Sequence, residues 1–542
     1  MPRFLAAATF AIGALLQAGA SAQAPATAPS WAELEAAGAR VGEVRVVARE
    51  IFDTEDPKES YLLFKWANAL HIQTRPEVIA RQVLFKPGDL VSERVIEETE
   101  RVLRANRYLY DVQFRPVVQP GGVVDIEVLT RDTWSLDVGA SVGRAGGANS
   151  SGVHLREYNL LGTGTLVNLG RSNDVDRSGT ELLFANERIF GSSVSASLSH
   201  AINSDGRRDA VSVTRPFFAL DERWAAGATA SNDDRIDAIY NAGVVQSQYR
   251  HREDRRDVFG GWSPGLQGGR VQRYSVGLFS EDDTYAPEPG LTAPAQMPVD
   301  DKLVGPYVRL QVVEDRFEKE QNRNLIGRPE FFALGMDASV QLGRALTGMG
   351  STRDAWLYSA NVSRGFEPVY SHRLMAEAAV SGRYAQGQIQ NQHAGAQSQY
   401  YLPQSPHRLF YASIAADALT RPDPGETLEL GGDNGLRGYP LRYQSGTRRA
   451  LLTIEERFYT DLYVWQLFRI GGAAFFDTGR AWGGDNTNTQ NPGRLSDAGI
   501  GLRIVSARSA LSNVLHIDLA YALDATADIK KVQIVVKSRT SF

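Results

Sequence analysis

Residues 431–439 read Gly-Gly-Asp-Asn-Gly-Leu-Arg-Gly-Tyr, and residues 475–479 read Phe-Phe-Asp-Thr-Gly. Glycine allows the backbone to turn tightly and to approach another surface closely. A guanidinium on such a turn can bind a carboxylate in a bidentate geometry that lysine does not match. A solvated glycine turn explains the first stretch when it is taken alone. The two stretches together predict a loop that folds inward and is held there.

The chain around these stretches, residues 133–542, alternates as strands do and shows no helical stripe. Val194, Ala196 and Leu198 form one face of a segment whose other face is serine. A soluble sandwich shows the same alternation, but so long a run of strands and loops fits a single transmembrane antiparallel β-barrel with fewer difficulties. At roughly 25 residues per strand and loop, we predict about 16 strands, an even number as such barrels require.

The C-terminal strands of this predicted barrel can be followed one by one. They cover residues 450–458, 468–482, 496–505, 514–523 and 531–542. With the C-terminus in the periplasm, the loop that carries Arg437 lies at the extracellular end and can fold into the lumen. Closure requires the first strand, near residues 134–142, to meet the last one at a seam.

The N-terminus predicts export. Arg3 precedes an apolar run and a stretch of small residues up to Ala24, the pattern of a secretory signal peptide over residues 1–22. Residues 23–40 then read as a linker with a short helix, for which Ser30 and Glu33 form a capping box.

A small mixed module is predicted over residues 41–132. Its first strand lies at residues 44–47, and helices follow at residues 76–85 and 93–105. Two strands, joined by a Pro-Gly-Gly turn, complete a β-α-α-β-β order.

Composition excludes several classes of protein and of site. The 542 residues contain no cysteine, so neither a disulfide framework nor a thiolate metal site is possible. A net charge of −5 gives no case for nucleic-acid binding. The mean hydropathy of −0.28 is compatible with a barrel, because polar residues facing the lumen dilute the average.

The chain resembles the outer-membrane assembly and secretion superfamily that includes BamA, TamA and the two-partner secretion transporters. Leu436-Arg437-Gly438-Tyr439 is similar to its loop motif, and Phe475-Phe476-Asp477-Thr478-Gly479 is similar to its strand motif. Residues 158–164 resemble its early-barrel segment, and residues 453–457 its Glu-x-Arg strand. Residues 41–132 resemble one POTRA domain, where these relatives carry several.

The resemblance implies roles for individual residues. Arg437 would reach into the barrel and pair with Asp477. The implied site comprises the inward loop motif, the barrel-wall partner motif, two supporting residues and a C-terminal recognition residue: Leu436, Arg437, Gly438 and Tyr439; Phe475, Asp477 and Gly479; Glu455 and Arg457; and Phe542.

Catalytic and metal-binding motifs are absent from the sequence. His516 and Asp518 share a strand face with serines nearby (Ser506, Ser509, Ser512), but a polar row facing a lumen explains them more simply. Asp433-Asn434 and Asp485-Asn486 are typical of turns rather than of calcium sites. We therefore expect no enzyme activity, no cofactor and no metal.

The predicted function is assembly, insertion or translocation of proteins at the bacterial outer membrane, with the POTRA domain in the periplasm. The partners expected are the lipid bilayer, unfolded outer-membrane or secreted polypeptides, and periplasmic accessory proteins, without nucleic acid. In the resembling family the seam opens laterally, and an incoming strand adds to the exposed edge. Two alternatives remain: secretion of one dedicated polypeptide, as in two-partner systems, and a plain diffusion channel.

Overall fold

The computed structural model describes residues 29–369, 371–484, 491–510, 513–527 and 529–539. The predicted signal peptide, Phe542 and the pair Asp485-Asn486 lie outside these residues.

An α/β domain precedes the barrel. Its elements are α1 (Trp31–Ala36), β1 (Arg40–Arg49), α2 (Leu62–Leu70), α3 (Pro76–Ala80), α4 (Glu93–Arg104), β2 (Leu109–Gln119) and β3 (Val123–Asp132). The sheet order is β1-β3-β2, with β1 parallel and β2 antiparallel to β3. The predicted capping box of α1 is present, because the side chains of Ser30 and Glu33 each accept a backbone N–H of the other residue.

Two features of this domain differ from the sequence prediction. Helix α2 was not expected, and α3 ends at Ala80 although its pattern extended to residue 85. The chain after α3 runs beside β1 instead, where Gly88 N–H donates to Val41 and Val41 N–H donates to Asp89. The backbone of this segment is thus satisfied without continuing the helix.

The remaining strands build mainly a closed antiparallel barrel. They are β4 (Leu136–Ala145), β5 (Ala148–Glu157), β6 (Thr165–Asn173), β7 (Ser178–Asn186), β8 (Ser195–Asn203), β9 (Gly206–Arg215), β10 (Trp224–Asn241), β11 (Val244–Trp262), β12 (Leu266–Gln267), β13 (Arg270–Pro287), β14 (Asp301–Glu314), β15 (Phe317–Gln321), β16 (Pro329–Ala333), β17 (Asp337–Ala345), β18 (Ala355–Phe366), β19 (Arg373–Ala385), β20 (Gln388–Ser405), β21 (Arg408–Thr420), β22 (Leu428–Leu430), β23 (Gln444–Gly446), β24 (Arg448–Val464), β25 (Phe468–Trp482), β26 (Leu495–Ser506), β27 (Val514–Ala522) and β28 (Val532–Arg539).

The prediction of about 16 strands is wrong: within the described residues the barrel has 20 strands, not counting the two-residue β12, which pairs only with β13. The estimate failed because several connections are very short. Gly146 and Gly147, both with positive φ, join β4 to β5, and Ala242 and Gly243 join β10 to β11 in the same way. Two-residue turns of this kind match the twist of the flanking strands, so little chain is spent between strands.

Two short hairpins lie outside the barrel ladder. Residues 315–336, between β14 and β17, contain the pair β15–β16; we call them the proximal hairpin, because they lie at the barrel end that carries the α/β domain. Residues 421–447, between β21 and β24, contain the pair β22–β23 at the opposite, distal end; we call them the arginine loop.

The barrel wall separates a polar interior from an apolar exterior. On β27, His516 and Asp518 are buried inside, whereas Ile517, Leu519 and Tyr521 are exposed outside. In the part of the chain that the structure describes, no helix has the length and apolar character needed to cross a membrane.

The early-barrel segment, residues 158–164, is where the α/β domain docks. Asn159 donates its side-chain amide to Thr74 Oγ1 at 2.8 Å, and its side-chain oxygen accepts the N–H of Gly164. Gly162 O accepts the N–H of Arg75 at 3.0 Å. A Cβ on Gly162 would lie 2.4 Å from Gln73 O, so this contact requires glycine.

Candidate functional site

The arginine loop is shaped by its own turn before it meets the wall. Asn434 accepts the N–H of Gly431 at 2.6 Å and donates to Glu429 O at 2.8 Å. Asn434 of the Asp433-Asn434 pair thus serves the turn. Gly435 has φ +138°, and Leu436 is fully buried beside Tyr439 and Tyr443.

Arg437 lies inside the barrel and binds three acidic side chains from three strands. Its Nε and Nη2 donate to the two carboxylate oxygens of Asp477 at 2.7 and 3.0 Å, a bidentate pair. Nη1 donates to Glu455 at 2.9 Å and lies 3.5 Å from Asp518. The guanidinium also stacks 3.4 Å from the ring centre of Phe475. The structure thus brings Arg437 to Asp477, the partner that the resemblance implied.

Arg437 stays charged in its buried position. Burial disfavours the charged guanidinium, but the carboxylates of Asp477 and Glu455 outweigh it and raise the pKa of Arg437 well above its usual range. An arginine placed so deeply without these partners would be strongly unfavourable, because a buried charge needs compensation. The loop position and the acidic wall therefore depend on each other.

A second and a third arginine extend this cluster along the wall. Arg457 donates to Glu455 Oε2 at 2.9 Å and stacks 3.7 Å from the ring centre of Tyr411. Arg503 pairs with Asp518, the carboxylate that also faces Arg437. Glu455 and Asp518 are therefore each shared between two arginines, which makes the cluster one connected unit.

The remaining motif residues fit the loop against the wall. Tyr439 donates its hydroxyl to Ser496 O at 3.0 Å and accepts the N–H of Asp524. A Cβ on Gly438 would lie 2.7 Å from Asp497 Cβ, and one on Gly479 2.8 Å from Ala450 O. A side chain at Gly438 would push loop and wall apart, whereas one at Gly479 would push against the neighbouring wall strand β24.

Sequence reasoning missed Asp497. It lies directly opposite Asp477 in the β25–β26 register and is fully buried beside Gly438. The only sequence signal was an aspartate in the β26 alternation, on the same face as Arg503.

The proximal hairpin is the second insertion into the lumen, and it was also missed. Its residues Ile326, Phe332 and Leu334 are buried against inward-facing residues of the wall, among them Tyr401 and Tyr459. The carbonyl of Arg323 accepts hydrogen bonds from Arg457 at 2.9 Å and from the Tyr459 hydroxyl at 3.0 Å.

Ion pairs fix the hairpin at both sides. On the barrel, Arg373 binds Glu318 and, at 2.5 Å, Glu320. On the α/β domain, Lys319 binds Glu100 at 2.7 Å, and Arg101 of α4 stacks 4.1 Å from the ring centre of Phe317. The hairpin thus joins the domain to the inner wall of the barrel.

The seam between β28 and β4 differs from every neighbouring junction. Within the described residues it contains a single ladder pair, Val536 with Arg144. By contrast, β27 pairs with β28 along all of Val514–Tyr521, and β4 pairs with β5 along its full length.

The arginine loop spans this seam from the inside. Lys537, on the last strand, donates to Gly432 O at 3.0 Å. A Cβ on Gly432 would lie 2.5 Å from Gly146 Cα, in the turn that follows the first strand. One loop residue therefore touches both sides of the seam.

The other candidate residues have different surroundings. Asp518, which the sequence placed on one face with His516, is bound by arginines, while Ser506 lies opposite Phe468 on the outer side of β26. Ser512 lies outside the described residues. Among those described, His251, Glu253 and Asp283 have potential ligand atoms within 4.8 Å of one another, but Arg255 already binds Asp283 at 2.9 Å.

Comparisons with known proteins gave structural likenesses alone. No family model and no curated protein matches the sequence. BamA from Haemophilus ducreyi lacking POTRA domains 1–3 is 12% identical with a TM-score of 0.38, over 92% of this chain and 85% of that one. CdiB from Acinetobacter baumannii is 13% identical with a TM-score of 0.43, over 92% and 73%. CdiB from Escherichia coli is 15% identical with a TM-score of 0.48, over 93% and 77%.

Proposed function

We propose that this chain is an outer-membrane member of the assembly and secretion superfamily and inserts or translocates polypeptides through its seam. The α/β domain would act as its single POTRA module in the periplasm, and the distal end would face the outside of the cell. The observation that carries the proposal is the seam itself, where, among the residues that the structure describes, one ladder pair closes a wall that is fully paired on both sides.

A junction of this kind suits strand addition. Edges of β-strands present backbone N–H and C=O groups that an extended peptide can pair with. Inside a membrane these groups must be satisfied. The free energy of a weakly paired seam therefore falls when a client strand pairs with its open backbone groups. Folding of the client and burial of its apolar face in lipid then drive insertion without nucleotide or metal.

The test is to lock the seam. The chain has no cysteine, so the pair Arg144→Cys and Val536→Cys can be oxidised selectively. We expect the oxidised protein to lose insertion of client barrels into proteoliposomes and to regain it after reduction. The matched control is Tyr521→Cys with Val532→Cys, a pair across the neighbouring β27–β28 junction. Full insertion by the locked seam variant would refute the proposed gate.

Secretion of one dedicated polypeptide is the second candidate. It is favoured by the two insertions in the lumen, each held by non-covalent contacts, because such segments can move aside for a passing chain. Proteomics of depleted cells separates the two functions. Loss of many outer-membrane proteins indicates assembly, and loss of one secreted protein indicates secretion.

A further inference from the structure

We propose that helix α2 is a membrane-contact element, which lies in the inner-leaflet interface of the outer membrane beside the seam. This inference rests on the proposed placement of the barrel in that membrane. It assigns a lipid surface, rather than a protein, to an apolar face that the α/β domain leaves open.

The face consists of four large apolar side chains on a nine-residue helix. Leu62, Leu63, Trp66 and Leu70 are 64%, 62%, 61% and 75% exposed. Residues 63, 66 and 70 recur at helical spacing and so lie along one stripe. Such a concentration of apolar surface in water is unfavourable and marks a contact site.

The orientation of this face is fixed by the other side of the helix. Phe64 is buried and stacks on Phe52, with ring centres 4.2 Å apart. Asn68 accepts the N–H of Phe52 at 3.1 Å and donates to its carbonyl at 2.8 Å. Turning the apolar stripe inward would break these contacts, so the exposed stripe belongs to the folded domain.

The position of the helix indicates what covers it. An apolar cavity of about 350 Å³ separates α2 from the proximal rim of the barrel, where Trp134, Phe468 and Ser506 line it. Phe468 and Ser506 are opposite each other in the ladder, on the face turned away from Asp477 and Arg503. The cavity therefore opens on the outer face of the barrel, not into the lumen.

The apolar stripe continues into the outer surface of the wall. Trp465, in the turn next to Phe468, is 76% exposed, and Ile500, on the outer face of β26, is 64% exposed. Tryptophans concentrate where a membrane meets water, because the ring has an apolar body and a polar N–H. Trp66 lines the cavity together with Phe468, and Trp465 contacts Phe468 with ring centres 6.5 Å apart. Both tryptophans thus stand at the proximal rim, where one lipid surface would cover the wall and the helix together. A protein that covered α2 instead would have to stop at the boundary with the lipid that covers the adjacent wall.

The test measures depth in a bilayer. Single cysteines replace Leu63, Trp66 or Leu70 in the full-length protein, which is spin-labelled and reconstituted in phosphatidylcholine–phosphatidylglycerol nanodiscs. Collision with oxygen against collision with a water-soluble nickel chelate reports the depth of each label. We expect all three labels to favour oxygen several-fold more than a control label at Val118, an exposed residue of the same domain.

A label at Ile500 separates the two levels of the proposal. If Ile500 reports lipid and the α2 labels report water, the membrane role of α2 is wrong while the barrel placement stands. If Ile500 also reports water, the proposed placement itself fails. Labels on α2 that are accessible in nanodiscs and become protected only when a polypeptide client is added would overturn the lipid assignment in favour of protein docking.

Discussion

The backbone carbonyl of Arg323 accepts a hydrogen bond of 2.9 Å from the guanidinium of Arg457. This bond joins the proximal hairpin to the wall strand β24, and two residues along that strand Glu455 binds both Arg457 and Arg437. The hairpin from one end of the barrel and the loop from the other thus meet through a short chain of buried charges. Movement of the loop would take Arg437 from Glu455, and movement of the hairpin would take a partner from Arg457, which also binds Glu455.

These contacts connect the seam to the α/β domain. The domain holds the hairpin through Glu100 and Arg101, and the arginine loop touches both seam strands through Gly432. The charged cluster lies between them. A client that displaces the hairpin would therefore weaken the support of the loop that covers the seam.

The first prediction concerns the pair Arg437–Asp477. Either Arg437→Ala or Asp477→Ala leaves a buried charge without its bidentate partner, which costs about 3–5 kcal/mol when the site stays dry. We expect both variants to release the arginine loop, seen as faster protease cleavage within residues 421–447, and to lower client insertion. The double variant should be little worse than either single one, because both remove the same interaction.

Arg480→Ala is the matched control for this prediction. Arg480 lies on the same strand as Asp477 but is exposed and donates only to Pro492 O among the bonds described. Wild-type cleavage rates in the Arg437 and Asp477 variants would show that the pair does not hold the loop.

The second prediction concerns the proximal hairpin. Replacing residues 317–333 by a short Gly-Ser turn removes Ile326 and Phe332 from the inner wall and takes away two of the three carboxylates that bind Arg373. We expect a several-fold larger conductance in planar bilayers, because the proximal mouth loses its insertion. Shortening the distal connection at residues 289–299 serves as the control, and an equal rise in both variants would contradict a specific closing role.

Much of the C-terminal half was predictable from sequence, for a physical reason. In β24–β27 one face meets the buried charged cluster and the other carries exposed apolar side chains such as Ile500 and Leu519, so the alternation is strong and β25 was placed at its observed bounds. The inward course of the arginine loop followed from strand direction and glycine content. Its partner Asp477 came from the resemblance, not from spacing.

The missed elements lack such a contrast. The two strands of the proximal hairpin read Phe-Glu-Lys-Glu-Gln and Pro-Glu-Phe-Phe-Ala and are too short to show a regular alternation, so nothing in the sequence marks them as an insertion into the lumen. Helix α2 is apolar around most of its circumference, so its sequence shows only a weak helical alternation of apolar and polar residues. It also has no side-chain N-cap that would mark its start. Because of the two-residue turns, a strand and its connection take fewer residues than the sequence estimate assumed. The estimate was therefore four strands too low. In each case long-range packing supplied what local pattern did not.

The third prediction concerns the docking of the α/β domain. Asn159→Ala removes the bond to Thr74 Oγ1 and leaves buried polar groups unsatisfied, at about 1–3 kcal/mol. We expect greater mobility of the domain, seen as broader spin-label distance distributions between the domain and the barrel. Asn173→Ala, at an exposed distal site, should leave these distributions unchanged. Unchanged distance distributions in Asn159→Ala would show that other contacts hold the domain on the barrel, for instance the 2.7 Å hydrogen bond from the N–H of Leu220 to Glu98.

The fourth prediction links the arginine loop to the seam. In Gly432→Ala the new methyl group would lie 2.5 Å from Gly146 Cα and 2.5 Å from Tyr439 O, both backbone atoms, so the loop must shift. We expect the bond from Lys537 to Gly432 to be lost, and amide hydrogens of β4 and β28 to exchange faster than in the wild type. Amides of β13 and β14, which pair over their full shared length away from the seam, should keep their rates. Gly493→Ala is the control, since its added Cβ meets no atom within 4 Å. If the loop has demonstrably moved but the amide exchange rates of β4 and β28 are unchanged, the seam closes without the loop. Arg437 then stabilises only the interior of the barrel and not the seam.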